Sequence, residues 1–355
     1  MARRKILIME LWGLGDLTFS TPLLREALPG HDIFLLAKNY AKALLHPSFP
    51  SLQFVVYDAP WTAYLRKYDL LRWPWPSILR IISKLRRHRF DVAVSVRNDP
   101  RDHLLMWLIG ARQRIGYPCH GSQIFLTHPL TRRQAKQHKV EDWREIGEAL
   151  GLPGMAEAAP ALRHAGYFSN SIEELFATIR KPVICLHTGA RIGVRRWPEE
   201  YFGAIVAQLR KHFDFHLLLI PEPDGYGASL APLADTFIRT LSVREMVDVL
   251  GRCALVLCND SAPAHIAASC GRPAIPIFGP SDPDWFRPWG HRHKVVIRDI
   301  CPWRPCFDYC KFSEPHCMTK LLPAAVWPEI HAHITALLAS GVLPPTLMKR
   351  ALAIA

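Results

Sequence analysis

Residues 254–283 constrain the fold of this chain most, because strand, turn, helix and strand signals follow one another there without interruption. The apolar run 254–257 predicts a buried parallel strand. Turn and N-cap residue types follow at 259–261, and Gly271 ends a helix before the next apolar run, 274–278. This order points a helix N-terminus at the carboxyl end of a strand, where phosphate groups bind well. Packing without a ligand also explains the pattern from these residues alone.

The same alternation of apolar runs with helical segments extends along the chain and predicts an α/β fold. The length of 355 residues suggests about two domains, and segment 153–181 has the composition of a linker with one helix. We therefore expect domains 1–165 and 166–355, and the last helix, 321–338, is a candidate for packing back on the first domain. The predicted strands are residues 6–10, 33–37, 55–57, 90–96, 114–117, 182–186, 215–220, 254–257 and 274–278.

The positive charge is concentrated in the first part of the chain. Residues 1–150 hold 23 Lys and Arg against 13 Asp and Glu, which accounts for most of the net charge of +13. Such an excess predicts an anionic partner, which the composition leaves open as a membrane surface, an acidic glycolipid or nucleic acid. A solvated surface that only keeps the protein soluble explains the same excess.

A basic amphipathic helix is predicted over residues 76–89. Its apolar side is formed by Ile78, Leu79, Ile81, Ile82 and Leu85, and its other side carries Arg80, Lys84, Arg86, Arg87 and Arg89. This pattern fits a helix packed on the core with a solvated face, and it equally fits contact with an anionic membrane surface or with acceptor phosphates. Nucleic acid is not expected as a partner, because no RNA- or DNA-binding motif accompanies the basic residues.

The chain shows no signal for secretion or membrane insertion. No apolar run reaches the roughly 18 residues of a membrane span, and the apolar run 6–10 is too short for a signal peptide. We therefore expect a cytoplasmic protein with peripheral contact at the inner membrane. In that compartment the Cys301, Cys306, Cys310 and Cys317 cluster indicates reduced thiols, with a metal site and a disulfide as the alternatives.

The chain opens with a second strand–turn–helix unit. After strand 6–10, Gly13 and Gly15 permit a tight turn, and Asp16 stands before a helix predicted over 17–28. As a dinucleotide fingerprint the turn is incomplete, because a third glycine at the required spacing is missing. On residue type alone, Asp16 is best explained as a cap of this helix.

Several of these stretches together resemble glycosyltransferase family 9, the ADP-heptose:lipopolysaccharide heptosyltransferases. The opening Gly13-Leu-Gly15-Asp16 and the segments 187–189 and 195–198 resemble family motifs, with Arg195 where the family has Lys. Ala262 departs from the pattern, since the family usually has Gly there. The donor-nucleotide motif is matched at Asp260, Ser261, His265, Ala267, Ala268, Gly271, Pro273, Phe278, Gly279, Pro280, Ser281 and Pro283.

The resemblance implies roles for individual residues. Asp16 takes the position of the catalytic general base, and Glu222 is expected to hold ribose hydroxyls, with Asp224 as the alternative. Acceptor-side candidates are Gly13, Gly15, Arg97 and His138, although a lone His at a helix start is also explained by structure alone. Donor and phosphate candidates are His187, Thr188, Gly189, Arg195, Glu222, Asp260, Ser261, Ala262 and His265.

The resemblance also implies a fold and an activity. The fold is the GT-B architecture, with two facing Rossmann-like domains, an N-terminal acceptor domain and a C-terminal donor domain, and a cleft between them. The activity is inverting, metal-independent transfer of heptose from an ADP-sugar to a lipopolysaccharide-core or other glycan acceptor, without a cofactor. Two alternatives stay open, namely another nucleotide sugar or acceptor in the same family, and a non-catalytic module that binds nucleotide or anionic glycan.

Overall fold

The chain forms two compact units, Met1–Ala161 and Leu162–Ala355. A computed structural model describes residues 3–63, 67–164 and 170–349. The predicted domain boundary, between residues 165 and 166, lies outside these described residues. Each unit contains one parallel sheet with helices, so the predicted α/β class is confirmed.

The first unit is built on a six-stranded parallel sheet. Its strands are β1 (Lys5–Glu10), β2 (Asp32–Ala37), β3 (Gln53–Val56), β4 (Val92–Ser95), β5 (Gln113–Gly116) and β6 (His128–Pro129). Its helices are α1 (Leu14–Phe19), α2 (Thr21–Ala27), α3 (Ala41–Leu45), α4 (Trp75–Arg86), α5 (Pro100–Leu108) and α6 (Lys139–Ala149), with 3-10 turns at Pro60–Thr62, Leu70–Arg72 and Ser122–Phe125. The strand order is β3-β2-β1-β4-β5-β6.

The second unit is built on a five-stranded parallel sheet. Its strands are β7 (Val183–His187), β8 (His216–Ile220), β9 (Thr236–Phe237), β10 (Leu255–Asn259) and β11 (Ala274–Ile277). Its helices are α7 (Asn170–Thr178), α8 (Glu199–His212), α9 (Val243–Arg252), α10 (Ala262–Ser269), α11 (Pro283–Phe286), α12 (His316–Thr319) and α13 (Pro323–Ala339), with 3-10 turns at Gly193–Arg195, Ala228–Leu233 and Pro345–Leu347. The strand order is β11-β10-β7-β8-β9.

Both sheets reverse their strand order once, and this reversal positions the candidate site. In the first unit the reversal lies between β1 and β4, and in the second it lies between β7 and β10. In open α/β sheets, ligands bind outside the carboxyl ends of the strands at such a point. Residues that follow these four strands are therefore the first candidates for function.

The helix predicted over 17–28 is interrupted in the structure. α1 ends at Phe19 and α2 begins at Thr21, because Pro22 has no N–H for the carbonyl of Thr18 and its ring excludes that carbonyl from the helix. The Thr21 hydroxyl donates to the Thr18 carbonyl oxygen instead, at 2.7 Å. The break keeps α1 short, and α1 carries Asp16 in its first turn.

The basic helix is present as α4, with a narrower apolar face than predicted. Ile78, Ile81 and Leu85 are buried, whereas Leu79 is 64% exposed. A turn of 100° per residue carries Leu79 away from the face that the other three share. The prediction that Leu79 belongs to the core-facing side is therefore wrong.

The last helix, α13, packs within the second unit. Its buried side chains, Val326, Ile330, Ile334 and Leu337, join the core formed by α8 and the strands of that unit. Among the helices of the described residues, none combines the length and apolar character needed to cross a bilayer.

Candidate functional site

In the second unit, the ends of β7 and β10 are joined through one buried side chain. The Asn259 amide donates to the Thr188 carbonyl at 2.6 Å, and its oxygen accepts the backbone N–H of Trp197 at 3.0 Å. Asn259 and Thr188 are both 0% exposed. Asn259 thus fixes the loop after β7 and the segment that follows Arg195 against the end of β10. This role is not evident from the sequence, where Asn259 is only a turn-type residue, because its partners are distant along the chain.

Arg195 ends the 3-10 turn Gly193–Arg195 in the segment after β7, and its guanidinium contacts two carboxylates. Its Nη1 donates to Asp260 Oδ2 at 3.4 Å, and its Nη2 donates to Asp308 Oδ1 at 2.9 Å. Its Nε is buried and has no hydrogen-bond partner among the described residues. The Ser281 hydroxyl also donates to Asp260. Burial raises the pKa of Asp260, and the Arg195 charge and the Ser281 hydrogen bond oppose that rise.

Helix α10 begins next to Asp260 and offers its N-terminus to the same place. Ser261 occupies the N-cap, but its hydroxyl donates to the Asn259 carbonyl at 3.3 Å and does not cap the helix. The first backbone amides of a helix lack intrahelical partners, so this end favours an anion. Ala262 is the first residue of the helix, and His265 in the next turn is 7% exposed.

Glu222 is packed directly against the loop after β7. A Cβ atom on Gly189 would overlap the Glu222 carboxylate, so this approach requires glycine. Burial raises the pKa of Glu222, and Arg196 acts against that rise. The alternative residue, Asp224, is engaged elsewhere, because it pairs with Arg196 at 2.7 Å and accepts the backbone N–H of Tyr226 at 3.0 Å. Of the two acidic residues, Glu222 is therefore the one whose carboxylate lies against Gly189 in the loop after β7.

His187 is the last residue of β7 and is 5% exposed. Burial lowers its pKa to about 4, because the charged imidazolium is poorly solvated there. His187 is therefore a neutral imidazole at neutral pH and contributes no positive charge to a phosphate. The cationic part of this site is Arg195 together with the N-terminus of α10.

In the first unit, Asp16 follows the end of β1 in the first turn of α1. Its Oδ2 accepts the backbone N–H of Gly13 at 3.0 Å, and its side chain is partly exposed. Gly15 is buried, and its carbonyl accepts the Thr18 hydroxyl at 2.6 Å. The expected N-cap position is wrong, because α1 begins at Leu14 with Gly13 as its N-cap, and Asp16 is the third helical residue, which caps from within the helix by accepting the Gly13 N–H. Asp16 remains accessible at the carboxyl end of the sheet.

A second carboxyl group, not predicted from the sequence, lies near Asp16 at the end of β1. Glu10 is the last residue of β1, is 1% exposed, and accepts the backbone N–H of Trp12 at 2.9 Å. Burial, and then the nearby Asp16 charge, raise the pKa of Glu10 to about 8. A charged residue within the otherwise apolar run 6–10 was the available signal.

Arg97 follows β4 and is held by two carboxylates. Its Nη1 lies 3.2 Å from Asp102 and its Nη2 lies 3.1 Å from Asp99, with Arg97 only 3% exposed. Its guanidinium lies 5.2 Å from the centre of the Trp12 ring, and Lys139 Nζ lies 5.9 Å from the same ring. Both cations near Trp12 are thus neutralised, because Arg97 pairs with Asp99 and Asp102 and Lys139 Nζ lies 2.9 Å from Asp142.

His138 has a structural role in the fold. It is the N-cap of α6, where its Nδ1 accepts the backbone N–H of Val140 at 3.1 Å, and it is 4% exposed. Its ring contacts Phe19 edge-on, with ring centres 5.3 Å apart. These contacts agree with the structural explanation of a lone His at a helix start.

All nine cysteines are free. Within residues 3–63, 67–164 and 170–349, no group of three or more His, Cys, Asp or Glu is arranged to hold a metal ion. Burial raises the pKa of Cys317 to about 11. The Cys306 backbone N–H donates to the Pro280 carbonyl at 3.0 Å, so the cysteine loop is anchored beyond β11, and from there Asp308 reaches Arg195.

Comparison with known proteins identifies the family. The sequence model of glycosyltransferase family 9 (heptosyltransferase) matches residues 78–316. Lipopolysaccharide heptosyltransferase 2 of Escherichia coli is 25% identical over 231 residues, which span 60% of this chain and 66% of that relative.

Solved structures share the fold over nearly the whole chain. A family 9 glycosyl transferase from Veillonella parvula has a TM-score of 0.76 at 17% identity, covering 95% of this chain and 98% of that one. The E. coli ADP-heptose lipopolysaccharide heptosyltransferase II has a TM-score of 0.66 at 19% identity, covering 94% and 99%. These likenesses assign the GT-B fold class. The chain belongs to glycosyltransferase family 9, the heptosyltransferase family.

Proposed function

We propose that this protein transfers heptose, or a closely related sugar, from an ADP-sugar to a hydroxyl of a lipopolysaccharide-core or similar anionic glycan. Family membership supports the sugar transfer, and the E. coli relatives are named for lipopolysaccharide heptosyl transfer and for ADP-heptose. The excess of positive charge in residues 1–150, with 23 Lys and Arg against 13 Asp and Glu, supports an anionic acceptor. The acceptor, if it is a glycolipid, would bring the protein to a membrane surface.

The second unit is proposed to bind the donor. Arg195 and the N-terminus of α10 would contact the diphosphate, and Glu222 would accept hydrogen bonds from ribose hydroxyls. As the sugar–oxygen bond breaks, the departing ADP gains negative charge, which these fixed groups stabilise. We propose that no divalent ion is needed, because the N-terminus of α10 and the two-pronged guanidinium of Arg195 can contact the diphosphate once Asp308 releases Arg195. Full transfer activity after EDTA treatment, together with a metal analysis that finds no bound divalent ion in the purified protein, would support transfer without a metal.

Asp16 is proposed as the general base. It would accept the proton of the acceptor hydroxyl while that oxygen forms its bond to the anomeric carbon. Attack from the face opposite the departing diphosphate inverts the anomeric configuration. The proton ends on Asp16, the electrons of the broken bond end on ADP, and the new glycosidic bond replaces the old one. General-base assistance of this kind is worth about a hundredfold to ten-thousandfold in rate.

The observation that carries this proposal is the position of Asp16, partly exposed at the end of β1 with one oxygen fixed by Gly13. Asp16→Asn retains an oxygen that can accept this N–H but cannot take the proton. We expect similar stability and unchanged donor binding, with single-turnover transfer reduced about a hundredfold or more. Asp91→Asn is the matched control, since Asp91 also accepts a backbone N–H, from Lys5 at 2.9 Å, at the opposite end of the sheet.

The non-catalytic binding module stays as the second candidate, because Asp16 already has a capping role. That reading predicts normal donor binding and no transfer by the parent protein with any acceptor. If the parent does transfer sugar and Asp16→Asn transfers it within about threefold of the parent rate, Asp16 is not the base. A screen of nucleotide sugars by thermal shift distinguishes the alternative donors.

A further inference from the structure

The first unit exposes a cluster of large apolar side chains just before and within α4. We name this cluster the apolar ridge. Large side chains of this kind are usually buried, and several of them exposed within one short segment indicate a binding surface. Its members and their exposed fractions are Tyr68 (74%), Leu70 (54%), Leu71 (96%), Trp75 (47%) and Leu79 (64%).

The local fold holds the ridge outward. Trp73 packs inward on the core, with its ring centre 5.6 Å from that of buried Trp61. The 3-10 turn Leu70–Arg72 reverses the chain just before it, which leaves Leu71 almost wholly exposed. The Trp75 indole N–H donates to the Leu70 carbonyl at 2.9 Å, which ties the turn to the start of α4.

The ridge continues into an exposed row of cations. Arg80, Lys84, Arg87 and Arg89 are exposed, and none of them forms an ion pair with another described residue. Segment 67–87 contains one acidic residue, Asp69, and its carboxylate pairs with Arg72 at 3.3 Å. The surface therefore combines exposed aliphatic and aromatic groups with uncompensated positive charge.

We infer that this surface docks on an anionic lipid bilayer, with the apolar ridge entering the headgroup boundary and the α4 cations lying on lipid phosphates. Aromatic and leucine side chains suit that boundary, and basic side chains gain from a negative membrane surface. A second copy of this chain would bring like charges together, so charge complementarity favours lipid over self-association. The inference goes beyond the proposed sugar transfer and does not depend on it.

The test is sedimentation of the full-length protein with lipid vesicles, without any nucleotide sugar. We expect binding to phosphatidylcholine vesicles that contain phosphatidylglycerol, little binding to phosphatidylcholine alone, and weaker binding as salt rises. Leu71→Glu should reduce the partition coefficient at least tenfold, whereas Leu322→Glu, at a leucine that is 51% exposed in the second unit, should not. Leu71 projects into solvent, so its replacement leaves the core intact, which a thermal melt verifies.

A triple variant tests the charge. Each cation near an anionic bilayer contributes about 1 kcal/mol, so removing three lowers partitioning about a hundredfold. The test variant combines Arg80→Gln, Lys84→Gln and Arg87→Gln. The matched control removes three exposed cations of the second unit, with Lys211→Gln, Arg239→Gln and Lys320→Gln.

Three results would overturn the inference. The first is equal binding to neutral and anionic vesicles, and the second is binding that neither Leu71→Glu nor the α4 triple variant reduces. The third is binding to single-stranded DNA that matches the vesicle binding and depends on the cations but not on Leu71, which would assign the surface to nucleic acid. Because the assay contains no nucleotide sugar, its failure leaves the proposed transfer untouched, and a failed transfer assay leaves vesicle binding untouched.

Discussion

Replacing Glu10 with Gln should make the first unit more stable, and increasingly so as the pH rises. Burial and the Asp16 charge raise the pKa of Glu10 from 4.5 to about 8, with Arg97 lowering it and Asp102 raising it further. Between these two pH values the folded chain holds a proton on Glu10 that the unfolded chain releases. The stability associated with Glu10 is therefore fully present below pH 4.5 and is lost as the pH rises towards about 8.

The free-energy change follows from the difference between the pKa of Glu10 in the folded chain and its ordinary value of 4.5. At about 1.36 kcal/mol per pH unit, charging Glu10 in the fold costs about 5 kcal/mol above pH 8. Glu10→Gln keeps an oxygen for the Trp12 N–H and is neutral at every pH. Its advantage over the parent should grow by about 3 to 4 kcal/mol between pH 5 and pH 8, which is a rise of several degrees in relative Tm for a unit of this size.

The assay is thermal unfolding of both proteins by circular dichroism at pH 5, 6, 7 and 8. The exposed Glu157→Gln is the control, and its Tm difference from the parent should stay constant with pH. Asp16→Asn should reduce the pH dependence of the parent, because it removes the charge that assists burial in raising the pKa of Glu10. A Glu10→Gln advantage that is the same at pH 5 and pH 8 would refute the reasoning.

The Arg195 site gives three further predictions. Arg195→Ala should weaken ADP binding about tenfold to a hundredfold, since a charge-assisted hydrogen bond contributes about 1.5–3 kcal/mol. Calorimetry measures the ADP affinity, with Arg210→Ala as the control because Arg210 is also ion-paired. Unchanged ADP affinity in a folded Arg195→Ala variant contradicts the prediction. Asp308→Asn should tighten ADP binding severalfold by releasing Nη2 of Arg195, and weaker binding would show that Asp308 supports the ligand instead. ADP at about 100 times its Kd should stabilise the protein by about 2.7 kcal/mol, and equal stabilisation by UDP at matched concentration would rule out adenine recognition.

The predicted elements agree with the structure where one local signal was sufficient. β1 and β10 are continuous apolar runs between turn residues, so their position is evident from sequence. The break between α1 and α2 was missed although Pro22 was visible, because a proline in the first turn of a helix and a proline inside one look alike until the start is known. β6 and β9 have two residues each, and they are strands only because a neighbouring strand pairs with them.

In the candidate site, individual residues were predicted from the sequence, but their contacts were not. Asp16, Arg195 and Asp260 were predicted from the resemblance to family motifs, but their partners depend on long-range packing. Asp308 is separated from Arg195 by 113 residues. Their contact exists because the cysteine loop is anchored on Pro280, just beyond β11, so it returns to the carboxyl ends of the strands.

That contact has a consequence for ligand binding. Arg195 is already neutralised by Asp260 and Asp308, so a diphosphate must share its guanidinium with them or displace one of them. Asp260 is 3% exposed and held by Ser281, whereas the Asp308 side chain is 30% exposed on a loop. Asp308 is therefore the partner that can yield, and donor affinity will measure the difference between two ion pairs on one arginine rather than the strength of either alone.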